Sequence, residues 1–158
     1  MEEVLLNNEL ALSFPEGFEQ MDTLELARDS FTDRTPFFSA RDTARHISVT
    51  AAWKKVGKLS AATTGAMSAA KKSERNFCAA MQTRDYRSGG LSPLQLCGQD
   101  AASYRCAYRL DGLEMTGISL VCKSRDSFYY IHGYFQTEHL ERSLPVWEEI
   151  VRSICWKV

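Results

Sequence analysis

Three successive stretches in the second half of the chain alternate between apolar and polar side chains. They cover residues 103–110, 113–123 and 128–135. A period of two is typical of β-strands, whose successive side chains point to opposite faces of a sheet. Asp111-Gly112 separates the first two stretches, and this dipeptide is a strong signal for a two-residue hairpin turn. The pattern therefore predicts an antiparallel meander of three strands.

The rest of the chain predicts shorter strands and helices on both sides of this meander. The helical pattern over residues 61–81 predicts a long helix with Ser60 as its N-cap. Its first half is almost all small residues, which favours close packing onto a sheet. Ser88-Gly89-Gly90 predicts a flexible connection. Further predicted strands are residues 9–14, 36–40, 45–54 and 154–157, and further predicted helices are residues 23–31 and 144–152.

Helices before and after an antiparallel meander indicate an α+β fold, with an antiparallel β-sheet sandwiched by helices. The chain has 158 residues, which fits one domain over residues 1–158. A domain of this size buries roughly two-thirds of the surface of its unfolded chain. It therefore needs no disulfide bonds to stabilise its core.

Two tight turns fix which side chains share a face of the meander. The first turn sets Tyr108 opposite Met115 and Cys106 opposite Gly117; the second, at Arg125-Asp126, sets Ser119 opposite His132. One face is then apolar and predicts the core, on which helices pack. This predicted core face comprises Ala107, Ile118, Leu120, Cys122, Tyr129, Ile131, Gly133 and Phe135.

The opposite face of the meander is rich in tyrosine, and we call it the tyrosine-rich face. It comprises Tyr104, Cys106, Tyr108, Met115, Gly117, Ser119, Val121, Tyr130, His132 and Tyr134. Tyrosine has a large apolar body with a polar tip and is common on surfaces that bind partners. Small residues among large ones predict a trough. We therefore expect a partner-binding groove lined by Tyr104, Tyr108, Met115, Gly117, Ser119, Tyr130, His132 and Tyr134. The alternative is that a helix of the same chain covers this face.

Candidate catalytic chemistry is sparse. Ser119 and His132 are predicted cross-strand neighbours, which could act as a nucleophile and its base in a hydrolase. Regular strand positions are a poor place for such a pair, which also needs an orienting acid. His46 and His139 lie far from His132 in sequence and match no metal-binding spacing. The sequence therefore predicts no catalytic residue, no cofactor and no metal site.

Charge and hydropathy exclude several classes of partner. The 19 basic and 20 acidic side chains give a net charge of -1, which argues against nucleic-acid binding. No apolar run approaches the roughly 20 residues of a membrane-spanning helix. The sequence begins Met1-Glu2-Glu3, which is unlike a secretory signal, and its five cysteines are scattered. We therefore expect a cytoplasmic protein with reduced thiols.

Four short motifs in order along the chain resemble the PsbP-like superfamily. They are Phe14-Pro15-Glu16-Gly17-Phe18, Gly98-Gln99-Asp100-Ala101-Ala102, Tyr129-Tyr130-Ile131 and Ser153-Ile154-Cys155-Trp156. This superfamily includes the yeast Ran-binding factor Mog, the photosystem II subunit PsbP and bacterial DcrB-type domains. The resemblance implies an antiparallel sheet between helices and no common active site. It also implies a bacterial-type cytoplasmic protein, because the chain shows neither a transit peptide nor a lipobox cysteine.

The resemblance extends to Eag-type chaperones, which hold apolar segments of secretion effectors on a concave sheet face. We therefore expect a non-enzymatic binding or adaptor protein, chaperone-like in its action, that holds another protein or an apolar peptide segment on the tyrosine-rich face. The alternative is a small-molecule-binding module with a pocket between sheet and helix. A pocket of a few hundred cubic ångströms would favour that alternative, and an open apolar groove would favour the protein partner. No feature of the sequence predicts the oligomeric state.

Overall fold

The computed structural model of the protein describes residues 2–21 and 37–157. The helix predicted over residues 23–31 lies outside this range. The strands are β1 (Glu2–Leu6), β2 (Leu10–Phe14), β3 (Glu19–Gln20), β4 (Phe37–Asp42), β5 (Ile47–Lys55), β6 (Arg87–Leu96), β7 (Gln99–Leu110), β8 (Leu113–Lys123), β9 (Ser127–Gln136) and β10 (Cys155–Trp156). The helices are α1 (Lys58–Thr63), α2 (Ala66–Ala80) and α3 (Leu140–Arg152), the last preceded by a 3-10 turn over Thr137–His139.

The strands form one large and one small antiparallel sheet. The large sheet has the order β3-β4-β5-β9-β8-β7-β6, and the small sheet has the order β1-β2-β10. Helix α2 packs on one face of the large sheet, and α3 packs on the other face together with the small sheet. The predicted α+β fold, an antiparallel sheet sandwiched by helices, is thus confirmed. The small sheet is an addition that the sequence pattern did not predict.

The predicted register of the meander is confirmed on both sides of β8. Tyr108 lies opposite Met115 in the β7–β8 pair, and Ser119 lies opposite His132 in the β8–β9 pair. Asp111 and Gly112 have φ angles of 51° and 80°. A type I′ turn requires positive φ at both central residues, so this dipeptide joins the strands without a slip in register.

The predicted core face is buried against α3 and the small sheet. Leu120, Tyr129 and Phe135 have at most 2% of their surface exposed. Trp147 of α3 meets Phe135 edge-on, with ring centroids 6.0 Å apart. A Cβ atom on Gly133 would lie 2.9 Å from the Trp147 ring, so the absence of a side chain there lets α3 approach the sheet.

The long helix predicted over residues 61–81 is broken in two, and its predicted cap is wrong. Gly57, and not Ser60, is the N-cap residue of α1, and the chain leaves the helical conformation between Thr63 and Ala66. Two side chains from the sheet stabilise this break. The Lys123 ammonium donates to two carbonyl oxygens at the end of α1, at 2.7 and 3.0 Å. The Asp100 carboxylate accepts a hydrogen bond from the Ala66 N–H at 2.9 Å, where α2 begins.

Two other boundaries differ from the predictions. Ser88, Gly89 and Gly90 were predicted to be a flexible connection, but they lie within strand β6. They form an irregularity in the pairing of β6 with β7. A Cβ atom on Gly89 would lie 2.8 Å from the Arg105 carbonyl oxygen, so only glycine fits this close approach. Helix α3 begins one turn earlier than predicted. Pro145 therefore lies inside it, where it lacks the N–H that an ordinary residue would donate to the preceding turn.

Candidate functional site

Helix α2 lies directly on the tyrosine-rich face. Ala66, Ala69 and Ala70 on the first half of the helix contact the sheet there and are buried. Alanine side chains bring the helix axis close to the sheet, as the run of small residues predicted. The sheet residues under this half are Ala102, Tyr104, Val121 and Phe128.

The second half of α2 covers the rest of the predicted groove with larger side chains. Phe77 packs against Tyr108 in an edge-on contact, with ring centroids 5.7 Å apart. Tyr104 and Tyr108 are 2% and 1% exposed, and Ser119 and His132 are each 4% exposed. The face is therefore covered at these four positions, as the alternative interpretation has it, and is not an open groove there. Partner binding by these residues remains a prediction.

The space above Gly117 is filled by its neighbours. A Cβ atom on this residue would lie 2.8 Å from the Cys106 Sγ atom and 3.1 Å from the His132 Nε2 atom. Both side chains belong to neighbouring strands and extend over the glycine. The alternation of small and large residues therefore produces close packing at this point and not a trough.

A chain of polar side chains runs through this buried layer to the helix surface. Ser119 Oγ is hydrogen-bonded to His132 Nδ1, and the Ser119 hydroxyl also contacts Tyr104. The Tyr104 hydroxyl is in turn 3.0 Å from Ser73 Oγ on α2. These contacts satisfy polar groups that α2 removes from water, and they fix the helix above the sheet.

The chemistry available to His132 is limited by its burial. Burial lowers the pKa of its imidazole from 6.5 to about 3, so the ring is neutral near pH 7. Its Nε2 atom is buried and has no hydrogen-bond partner among the described residues. Ser119 and His132 are neighbours as predicted, but no acid of the described residues orients the ring. A hydrolase would need that acid and access for substrate, so this geometry does not support the hydrolase alternative.

Other titratable groups under α2 are also held in their neutral forms. Burial raises the pKa of the Cys106 thiol to about 11 and that of the Tyr104 hydroxyl to about 12. The Tyr86 hydroxyl donates a hydrogen bond to the Glu74 carboxylate. Burial, and to a lesser extent this hydrogen bond, raises the pKa of Tyr86. Neither a thiolate nor a phenolate is therefore available in this layer at neutral pH.

One end of the tyrosine-rich face is only partly covered by α2, whose C-terminal Phe77 and the following Met81 pack against it. Met115 and Tyr134 are only half-buried there, and they adjoin a leucine pair at the β7–β8 turn. Leu113 is 44% exposed and its cross-strand partner Leu110 is half-buried. We call these four residues, Leu110, Leu113, Met115 and Tyr134, the hairpin patch. Tyr130 is half-buried further along β9, beside the first half of α2.

A cluster of charged side chains lies behind the hairpin patch, on the opposite face of the sheet. Glu114, on the opposite face of β8, contacts Arg87 and also lies 3.4 Å from Arg109. The sequence interpretation named Met115 and Tyr134 but missed the two leucines. They share the strand parity of Met115, so extending the same alternation to the turn would have found them.

A cavity of about 330 Å³ lies between the two sheets, on the opposite face of the large sheet from α2. It is lined by Glu2, Glu3, Val4, Phe14, Phe18, Gln20, Phe38 and Ala40. The pocket expected from the sequence lies between sheet and helix, whereas this cavity lies between two sheets. The Phe14–Phe18 motif supplies two of its aromatic rings, and the sequence linked this motif only to the family resemblance.

Residues with metal-binding or redox potential are dispersed. His46 and His139, which are distant in sequence, stack with ring centroids 4.1 Å apart, a pairing that sequence reasoning missed. The part of the chain that the structure describes contains no group of three or more His, Cys, Asp or Glu side chains arranged to hold a metal ion. All five cysteines are free thiols.

In residues 2–21 and 37–157, no helix combines the length and the apolar character that crossing a membrane requires.

Comparison of the sequence with protein-family models and with curated proteins gives no match. Solved structures do match the fold. Cyanobacterial PsbP (CyanoP) from Synechocystis superposes with a TM-score of 0.69 at 11% identity, over 94% of this chain and 86% of that chain. A Bacteroides thetaiotaomicron protein superposes with a TM-score of 0.69 at 9% identity. The match covers 99% of this chain but only 48% of the Bacteroides chain. LpqN of Mycobacterium tuberculosis, described as involved in cell envelope biogenesis, gives 0.61 at 12% identity, over 94% and 83%. At identities this low, the likenesses show the fold alone.

Proposed function

We propose that this protein, which has the PsbP-like fold, is a non-enzymatic binding or adaptor protein that holds an apolar segment of another protein in a chaperone-like way. Of the similar structures, PsbP and LpqN have descriptions that name no enzymatic activity. The buried, neutral Ser119–His132 pair also gives a catalytic role no support. A binding role is consistent with both observations.

The observation that carries the proposal is the hairpin patch. It is the end of the tyrosine-rich face that α2 leaves partly exposed, and it combines leucine, methionine and tyrosine side chains. Methionine adapts its shape to a partner, and tyrosine combines an apolar surface with a hydrogen-bonding tip. Clusters of partly exposed apolar side chains are typical of protein interaction sites.

The patch fits an apolar segment better than a charged one. Its four side chains carry no charge. The Arg87, Arg109 and Glu114 side chains lie on the opposite face of the sheet, where Glu114 contacts both arginines. These charges of both signs are already paired, so they give a strongly acidic or basic partner little net attraction. Binding would therefore depend mainly on the burial of apolar surface and weakly on salt.

Site-specific photo-crosslinking tests this proposal directly. A photoreactive amino acid placed at Leu113 in the full chain, within cells of the source organism, is expected to give a discrete adduct with one protein. The same amino acid at Leu59 on α1 is the matched control, because Leu59 is 79% exposed and lies far from the patch in the fold. Mass spectrometry of the adduct should place the crosslink in an apolar segment of the captured protein.

A second variant separates specific binding from chance contact. Met115→Glu is expected to abolish the Leu113 adduct, because it introduces a charge where the partner would bury its apolar surface. Circular dichroism and the thermal midpoint verify that the variant remains folded. Identical adducts from the two crosslinking positions, or an adduct unaffected by Met115→Glu, would contradict the proposed binding site.

A further inference from the structure

The cavity between the sheets has an aromatic floor. The Phe14 ring lies 5.1 Å from the Phe18 ring and 5.7 Å from the Phe38 ring, measured between centroids. Phe14 is 3% exposed, whereas the other two rings are half-buried and line the opening. Val4 and Ala40 complete the apolar lining.

The turn between β2 and β3 holds one of these rings in place. Gly17 has a φ angle of 108°, and a Cβ atom there would lie 2.7 Å from Asp42 Oδ2. Asp42 is buried and forms an ion pair with Arg45 at 3.2 Å, so it cannot move away without losing that partner. The turn is therefore restrained against β4, and Phe18 follows it directly.

The opening of the cavity carries one negative charge, on Glu2. Glu2 shares the face of β1 that Val4 presents to the cavity, its neighbour Glu3 alternates to the other face, and Gln20 of β3 is neutral. Glu3 also lies 3.5 Å from the Lys157 ammonium, which offsets part of its charge. No lysine or arginine is among the described residues that line the cavity.

We propose that this cavity binds a small organic ammonium ion with an aromatic or branched apolar body. The faces of aromatic rings attract cations, and the Glu2 carboxylate at the rim adds to that attraction. An anion of the same shape would be repelled by the Glu2 carboxylate, and a neutral isostere would gain only the apolar contacts. A volume of about 330 Å³ is at the lower end of ligand sites, which suits a compound with a single ring.

The test compares three compounds of one shape and different charge. Phenethylammonium, phenethyl alcohol and phenylacetate are each titrated into the full chain and followed by NMR of the backbone amides. We expect phenethylammonium to cause saturable shifts at residues 14–18 and 38–40, with an affinity about two- to fivefold above that of the alcohol. Phenylacetate should cause no saturable shift. Added salt should reduce the difference in affinity between phenethylammonium and phenethyl alcohol.

Two variants locate the binding energy. Glu2→Gln removes an exposed carboxylate and Phe38→Leu removes a ring face, and each is expected to weaken phenethylammonium about two- to fivefold. Glu148→Gln on the exposed side of α3 is the matched control and should leave the affinity unchanged. Equal binding of all three compounds, shifts outside these residues, or no saturable shift with phenethylammonium would overturn the proposal. None of these outcomes bears on the hairpin patch, which lies on the other face of the sheet.

Discussion

At the scale of single residues, His132 is the side chain whose burial has the clearest consequence. It is enclosed by the rings of Phe77, Tyr104 and Tyr134, with the Phe77 centroid 4.7 Å away. A charged imidazolium in this setting would lose its hydration without gaining an acidic partner. The protein therefore folds with a neutral ring, and this preference makes its stability depend on pH.

The first prediction concerns this pH dependence. Between pH 6.5 and about 3 the unfolded chain binds a proton at His132 that the folded chain does not. The stabilisation from the neutral ring is thus fully present above pH 6.5 and is lost as the pH falls towards 3. We expect the wild-type free energy of unfolding to fall by up to about 1.4 kcal/mol per pH unit more steeply than that of His132→Gln.

Urea unfolding at a series of pH values measures both curves. Ser68→Ala is the control, because Ser68 is exposed on α2 and has no ionisable side chain, so its replacement should leave the slope of the wild type unchanged. If the His132→Gln curve ran parallel to the wild-type curve over this range, the assignment of a buried neutral imidazole would be wrong.

Residue positions within the meander were predictable where only strand parity mattered. Ser119 and His132 are neighbours because side-chain alternation and two tight turns fix their register. The filling of the space above Gly117 was not predictable in this way. It depends on the rotamers of the Cys106 and His132 side chains. These rotamers are set by packing against α2, which lies far from β7 in the sequence and contacts it only in the folded protein.

At the scale of elements, α1 and α2 show how a helical pattern alone misplaces a boundary. The run of small residues favours one continuous helix, yet the chain breaks at Thr64-Gly65. Lys123 and Asp100 provide the alternative hydrogen bonds for the two exposed helix ends. Both residues lie on the sheet and at least 34 positions away, so no local signal could reveal them. Asp100 belongs to the Gly98–Ala102 motif, so one contribution of this motif to the fold is to cap the N-terminus of α2.

The second prediction tests this cap. Asp100→Ala removes the acceptor for the Ala66 N–H and a negative charge at the N-terminus of α2. We expect the free energy of unfolding to fall by about 1 kcal/mol, and Asp100→Asn to recover most of that loss because asparagine is also a good cap. The control is Glu148→Ala, since Glu148 is an exposed acid on α3. Equal losses for Asp100→Ala and Glu148→Ala in urea unfolding would remove the capping role.

At the scale of the whole molecule, the sequence predicted the architecture but not which layer lies on which surface. An antiparallel meander with one apolar and one mixed face requires cover on at least the apolar side. The tyrosine-rich face could be open or covered, because tyrosine suits both settings. The answer depends on whether α2 crosses that face, and this is decided by long-range packing of Ala66, Ala69 and Ala70.

The two faces of the large sheet differ in how strongly they hold their covers. Helix α3 inserts Trp147 and Ile150 into the main core, whereas the buried side chains of α2 are three alanines and Phe77. Apolar stabilisation follows the buried area, and an alanine buries much less than a tryptophan or an isoleucine. Parts of a fold with less buried apolar surface open at a lower free-energy cost. Helix α2 should therefore open before the rest of the molecule unfolds.

The last prediction states this difference in measurable form. Native-state hydrogen exchange should give an opening free energy for the α2 amides at least about 1 kcal/mol below that of the α3 amides. Ala70→Gly on α2 should lower the α2 value further, by about 1 kcal/mol, and leave the α3 value nearly unchanged while the fold persists. Such an opening would expose Tyr104, Tyr108 and His132 for a fraction of the time, which is the state in which the tyrosine-rich face could hold an apolar segment. Exchange of both helices only through global unfolding would mean that α2 is a fixed layer, and binding would then be confined to the surfaces that are exposed in the folded protein.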